Sequence, residues 1–233
     1  MPYSVDEIIK AYEILVKGIE DQANEDEDRA YGGIIRAGKG KLVESIARHM
    51  VEIAWEKIGG ESKRLSLVKN TFNIPINRSY IERIKSQEVK SYIFEHINEY
   101  YYGLKTDVHV SIDNRMVMGI ECKTYTENAM LKRIMVDFTL LKNVLPNLKC
   151  VLLQLESQLA GDYSQVNKKI IYGSHSTHTI MSYFDVDLYI LTLLEGERKV
   201  DEPIHQHTYY KELKKDILMK NISIIEDLLK PYI

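Results

Sequence analysis

Glu121 and Lys123 stand two residues apart in the stretch VMGIECKTYTENAMLKR, where an apolar run ends. Alternate residues of a strand share a face, so this acid and base point the same way. Such a pair is either an exposed ion pair worth little or part of a charged site. The segment before it bears on the choice. DVHVSI and RMVMGIECK flank the turn residues Asp113 and Asn114 and read as two strands of a hairpin. A two-residue loop would set Ile112 against Arg115. A three-residue loop, Asp113-Asn114-Arg115, pairs Ile112 with Met116, Val110 with Met118 and Val108 with Ile120, which leaves one face wholly apolar. On the other face Asp107 then falls opposite Glu121, with Lys123 two residues on. Two carboxylates a strand apart do not both stay ionised cheaply in a low dielectric. A divalent cation between them removes the conflict, and oxygen ligands with retained waters suit Mg²⁺. Lys123 beside that ion would orient or deprotonate a water, or stabilise charge on a phosphate. These parts fit metal-assisted hydrolysis of a phosphodiester.

The elements that must position these residues are legible from periodicity. Residues 5–22 predict a helix, with Ile8, Ile9, Tyr12, Leu15, Val16 and Ile19 on one face. The acidic run EDQANEDEDRA follows as a solvated helix end or loop. Glycines in YGGIIRAGKGK predict a loop, and a helix then carries Leu42, Val43, Ile46, Ala47, Met50, Ile53 and Ala54 until Gly59-Gly60 stops it. Short extended pieces are expected around 65–74. A polar helix is expected near 79–101, with Asn77, Arg78 and Ser79 at its start. After the hairpin, Met130, Ile134, Phe138 and Leu141 predict a helix over 126–144, ended by Pro146. CVLLQLE at 150–156 and VDLYILTLL at 186–194 read as strands buried on both faces. A long polar segment to about residue 184 lies between them, and a last helix is expected over 208–230. The expected fold is α/β, a central mixed sheet flanked by helices. With no repeat and no low-complexity linker, residues 1–233 read as one domain.

Composition bounds the function. A net charge of −3 argues against a surface coated with positive charge for unspecific nucleic-acid binding, while leaving room for a local basic cleft. No run of about 18 apolar residues is present to span a membrane. The N-terminal pattern is acidic and amphipathic, unlike a signal peptide. Cys122 and Cys150 show no metal-type spacing, so a reduced, cytoplasmic protein is expected.

Asp107 followed by Glu121-Cys122-Lys123, on strand, turn and strand and before a crossover helix and a buried strand, resembles the PD-(D/E)XK nuclease superfamily. The resemblance covers roughly 104–156, and Thr106 stands where the motif name has proline. It implies a core over about 40–194 resembling that of a type II restriction endonuclease, acting on double-stranded DNA with Mg²⁺. It implies a homodimer in a bacterial or archaeal cell, cutting both strands of a two-fold site. In that family an acid on a preceding helix often completes the site, and Glu44 in GKGKLVESIARHM matches that place. Asp107, Glu121 and the main-chain carbonyl of Cys122 would then hold the metal, with Lys123 and Glu44 as further catalytic residues. The terminal helices would bind DNA or form the dimer. A repair or junction-resolving nuclease, a DNA-binding module without catalysis, and an unrelated α/β protein with an exposed ion pair remain as alternatives.

Other residues are candidates for DNA contacts. Arg36, Lys39 and Lys41 in RAGKGK would meet phosphates at a glycine-rich helix entry. Asn128, Lys132 and Arg133 follow the Glu-x-Lys strand and would face the duplex backbone. The polar segments QLAGDYSQVNKK and GSHSTHT, with Ser174, His175, Thr177 and His178, would read base edges. The spacing of the two histidines, with no third ligand, does not fit zinc.

Overall fold

The computed structural model describes residues 4–25, 31–164 and 174–233. Helices α1 (Val5–Glu25) and α2 (Tyr31–Lys57) open the chain. Strands β1 (Leu65–Ser66) and β2 (Phe72–Pro75), helices α3 (Arg78–Glu82) and α4 (Gln87–Glu95) and strand β3 (Tyr101–Leu104) come next. Then follow β4 (Val108–Ile112), β5 (Arg115–Thr126), α5 (Asn128–Val144), β6 (Lys149–Ser157), α6 (His175–Met181), β7 (Leu188–Thr192) and α7 (Lys215–Leu229).

The central sheet has the order β1-β4-β5-β6-β7, antiparallel from β1 to β5 and parallel from β5 to β7. It is therefore mixed, as the sequence pattern predicts. One face carries Val108, Val110, Met118, Ile120, Val151 and Leu153 and is covered by α1, α2 and α7. The other carries Cys150 and Leu152 and is covered by α5, with Leu131, Ile134, Phe138 and Leu141 facing inward. The small β2–β3 sheet closes the end of this second core through Ile74 and Leu104. Among the described residues no helix is long and apolar enough to cross a membrane.

Two expectations are corrected here. The helix over 42–57 begins at Tyr31, so its glycines lie inside α2 rather than in an entry loop. Glycine costs only about 1 kcal/mol against alanine within a helix. Burial of Leu42, Val43, Ile46, Ala47, Met50, Val51, Ala54 and Trp55 along α2 outweighs that. The stop at Gly59-Gly60 is as expected: Gly59 takes φ +84°, and the N–H of Gly60 donates to the Trp55 carbonyl at 2.8 Å. The helix expected over 79–101 is broken into α3 and α4, each capped anew. Asn77 accepts from the Ser79 N–H, and Ser86 accepts from the Val89 N–H.

The hairpin differs in its turn. Asp113 and Asn114 form a two-residue loop with φ of +50° and +63°, so Ile112 pairs with Arg115. Both residues are left-handed, as a type I′ turn requires, and Asp and Asn tolerate that better than other side-chain-bearing residues. A bulge between Val110 and Ser111 then restores the register, giving Val110 opposite Met118 and Val108 opposite Ile120. Replacing Asn114 by Val puts a β-branched residue in this backbone and is expected to destabilise the protein by about 1–2 kcal/mol. Asn114→Gly should leave the urea midpoint unchanged or raised; equal midpoints for the two variants would contradict the turn described.

Candidate active site

β5 outruns its antiparallel neighbour. The pairing of β4 with β5 closes at Val108 opposite Ile120, whereas β5 continues to Thr126. A buried N–H without a partner costs about 1–3 kcal/mol. Asp107, the residue just before β4, provides the acceptor, and the Cys122 N–H donates to its Oδ2 at 2.8 Å. The N–H and C=O of one strand residue leave on the same side. The Cys122 carbonyl therefore faces that same edge, while its side chain is buried in the core beneath α1, α2 and α7.

The three charged side chains predicted to meet do meet. Lys123 Nζ lies 2.7 Å from Glu121 Oε2 and 3.1 Å from Asp107 Oδ2, so one ammonium bridges both carboxylates. Glu121 is only 8% exposed. The group borders a cavity of about 470 Å³ whose other walls include Tyr102, Lys105, Met130, Arg133 and Asp137. The cavity lies between the end of β3 and the exposed side of α5.

Their environments pull the two acids apart. Burial pushes the Glu121 carboxyl up to about 7 against the opposing pull of Lys123, and the charges of Asp107 and Asp137 add to the rise. Burial also disfavours ionised Asp107. There Lys123, the Cys122 N–H and Lys69 prevail and hold the group below the usual carboxylate range. Lys123 is raised: burial works against its charge, but Glu121 and Asp107 outweigh it.

Three residues around this group carried no clear sequence signal. Lys69 Nζ lies 3.6 Å from Asp107 Oδ1 and comes from the irregular stretch after β1. His109 is fully buried, two residues after Asp107 on β4, and burial together with the charges of Lys69, Arg48 and Lys105 pushes it down to about 4. The backbone N–H groups of Asn70 and Thr106 face its ring nitrogens at 3.0 and 3.2 Å; the neutral ring accepts from one of them, since its other nitrogen carries the proton. Strand alternation from Asp107 would have placed His109 here. Asp137, on α5, lies four residues after Arg133 and 3.8 Å from its guanidinium. Helical spacing put it beside Ile134 and Phe138, but only the packing of α5 on the sheet brings it to the cavity wall.

Glu44 sits on α2, on the opposite face of the sheet from α5. Among the described residues no hydrogen bond or ion pair joins it to Asp107, Glu121 or Lys123. It is nevertheless near: after burial and the charge of Asp107, the Glu44 charge is a further cause that raises the Cys122 thiol.

Several expected DNA contacts are corrected. Lys39 is no longer at a helix entry but inside α2, 9% exposed, with Nζ 3.1 Å from His205 Nδ1. Burial pushes it down to about 8. Arg36 lies on the same helix, its side chain outside the described residues, and Lys41 is exposed on it. The Thr177 hydroxyl donates to Asn128 at 2.8 Å and ties α5 to α6; Thr177 is fully buried and so presents nothing to a base edge. GSHSTHT is not a loop: Ser174 precedes α6, which exposes His175 and His178. In QLAGDYSQVNKK, Asp162, Tyr163 and Ser164 are buried and residues 165–169 lie outside the described residues. Lys132 and Arg133 are exposed on α5, and Arg133 lines the cavity.

No protein-family model matches the chain. The type II restriction enzyme DdeI of Desulfomicrobium norvegicum (strain DSM 1741 / NCIMB 8310) is 53% identical over 206 residues, covering 88% of this chain and 85% of that enzyme. A solved structure titled as the native BbvCI A2B2 tetramer at low resolution covers 98% of this chain and 89% of that one. Its TM-score is 0.39 at 11% identity, a likeness too weak to add to the fold described above.

The raised carboxyl of Glu121 has a consequence for stability. It holds its proton up to about 7, whereas the unfolded chain releases it near 4.5. The folded state therefore binds more protons between those values, and its stability falls as pH rises through that window. The contribution is fully present below about 4.5 and lost above about 7. Glu121→Gln removes it, so the stability advantage of the variant over the metal-free parent should grow from pH 4.5 to 7.5. Parallel urea midpoints across that range would show that Glu121 titrates normally.

Proposed function

This chain belongs to the type II restriction enzymes, and we propose that Asp107, Glu121 and Lys123 are the centre with which it hydrolyses double-stranded DNA at a specific sequence. The observation that carries the assignment is the ammonium of Lys123 held between two carboxylates at the lip of an open cavity. That spot already stabilises one positive charge between hard oxygen donors, the donor type Mg²⁺ takes. Among the described residues no group of three or more His, Cys, Asp and Glu side chains is arranged for a metal. The set would therefore be Asp107, Glu121 and the Cys122 carbonyl, completed by water and phosphate oxygens. This is the PD-(D/E)XK plan, with Thr106 at the proline position.

Bound there, Mg²⁺ supplies charge to the phosphate and makes its water more acidic. The chain's own groups do the rest. Asp107, kept ionised by its neighbours, is the constant anion of the site. Glu121 is desolvated, so it gains most from an added cation. Lys123, released from the carboxylates, is a mobile ammonium beside the reacting phosphate that orients the attacking water. Lys105 and Arg133 on the cavity wall, Lys69 beside Asp107 and the exposed Lys132 of α5 supply phosphate contacts that position the duplex without reading bases. Glu44, on the far face near Cys122, holds outer water or a second ion. Cutting both strands of a two-fold site calls for two such centres, so the working form is a homodimer of this chain, each copy one nuclease domain.

With unmodified DNA and Mg²⁺ the protein should yield discrete fragments, and chelation should abolish them. Lys123→Ala should slow single-turnover cleavage by about 10²–10⁴-fold while duplex binding, measured in Ca²⁺, changes little. Cleavage in the presence of a chelator, or a Lys123→Ala rate equal to the parent's, would refute this centre.

A further inference from the structure

Lys123 closes the carboxylate pair. Lys123 Nζ spans Glu121 and Asp107 at 2.7 and 3.1 Å, the oxygens that a divalent cation would take. A cation entering there must displace the ammonium. Once displaced, Lys123 leaves two ion pairs in a partly buried place, where its side chain is only 29% exposed. An ammonium without a counter-charge in such a place is costly, so metal entry is disfavoured unless another anion receives it.

The walls of the cavity offer one further acid. Asp137 lines the same space as Asp107, Glu121 and Lys123, its side chain 20% exposed, and it enters from α5 rather than from the sheet. Its charge already acts on Glu121, and the charge of Lys123 already acts on it. Its present partner, Arg133, holds it loosely: the nearest approach is 3.8 Å and the Arg133 side chain is 84% exposed. Exposed pairs of this kind contribute little, so the carboxylate stays available.

We propose that Asp137 is a positioning residue that receives the Lys123 ammonium when a divalent cation takes Asp107 and Glu121. The lysine would thus swing between two anionic resting places, on the strand pair and on the helix. It stays protonated in both, and its second place borders the cavity where the phosphate would lie. Asp137 is on this account neither a metal ligand nor a group that touches substrate. The inference rests on the metal site proposed above.

A double-mutant cycle on Mn²⁺ affinity separates these possibilities without any cleavage. The full chain, free of DNA, is titrated with Mn²⁺ at pH 8 and 0.2 M salt, with free Mn²⁺ followed by electron paramagnetic resonance. The parent, Asp137→Asn, Lys123→Met and the double variant are compared. Asp137→Asn should weaken Mn²⁺ about five- to tenfold in the parent and less than about twofold when residue 123 is Met. Asp137→Glu should recover most of the affinity. If Asp137→Asn lowers the urea midpoint, Asp137→Ser takes its place in the cycle. An equal loss in both backgrounds would make Asp137 an ordinary part of the metal field and overturn the relay alone. No loss in the parent would overturn it as well. Absence of Mn²⁺ binding by every variant, with and without duplex DNA, would overturn the metal site itself and the relay with it.

Discussion

The site depends on the register between β4 and β5 and on the point at which it stops. While the two strands pair, their backbone groups satisfy each other and their shared face is apolar. Where β4 ends, β5 still has amides to satisfy, and the side chain of Asp107 takes the first of them, on Cys122. This hydrogen bond fixes a carboxylate at the open edge of a buried strand. Glu121 follows on the same face because side chains alternate, and Lys123 follows Glu121 for the same reason. A one-residue shift of β5 would turn Glu121 and Lys123 toward the core beneath α2, away from Asp107. The bulge at Val110 is thus as much a part of the site as the acids are.

A strand edge of this kind assembles charge where a core would exclude it. Two acids of similar chemistry are set to different tasks by a few ångströms of surroundings. Asp107 is partly exposed and accepts from a backbone amide as well as from lysine. Glu121 is nearly enclosed and has lysine alone. The Lys123 ammonium offsets the charge of the pair, spanning both carboxylates. Lys123 thus joins the two acids of the strand pair, and a third acid, Asp137 on α5, borders the same cavity.

The support behind the site is less conspicuous than the site. His109 is neutral and buried, and it faces amides from two segments that are far apart in sequence order on the sheet edge. Lys69 arrives from one of those segments. Asn128 and Thr177 join α5 to α6, so the helix that carries Arg133 and Asp137 is anchored at its first turn. Thr177, which looked like part of a reading surface in the sequence, holds the scaffold instead, since a buried hydroxyl needs a partner.

Periodicity and alternation are local properties, so the sequence by itself determined the helices α1, α5 and α7, the strands β4 to β7, the apolar face of the hairpin and the opposition of Asp107 to Glu121. It reached that opposition with a three-residue loop, whereas the molecule uses a two-residue turn and a bulge; both satisfy the same apolar face, and that face was the constraint that mattered. Local rules also misled. The glycines of α2 signal a loop, yet burial of the helix beyond them overcomes their small cost, and Lys39 goes inside with it. Which anions and cations surround the triad was left to tertiary structure, because Lys69, Asp137 and Glu44 come from three elements whose mutual placement no local period encodes. Whether a polar residue such as Thr177 is a contact or a brace was decided there too, for burial is a property of the packed chain and not of the residue.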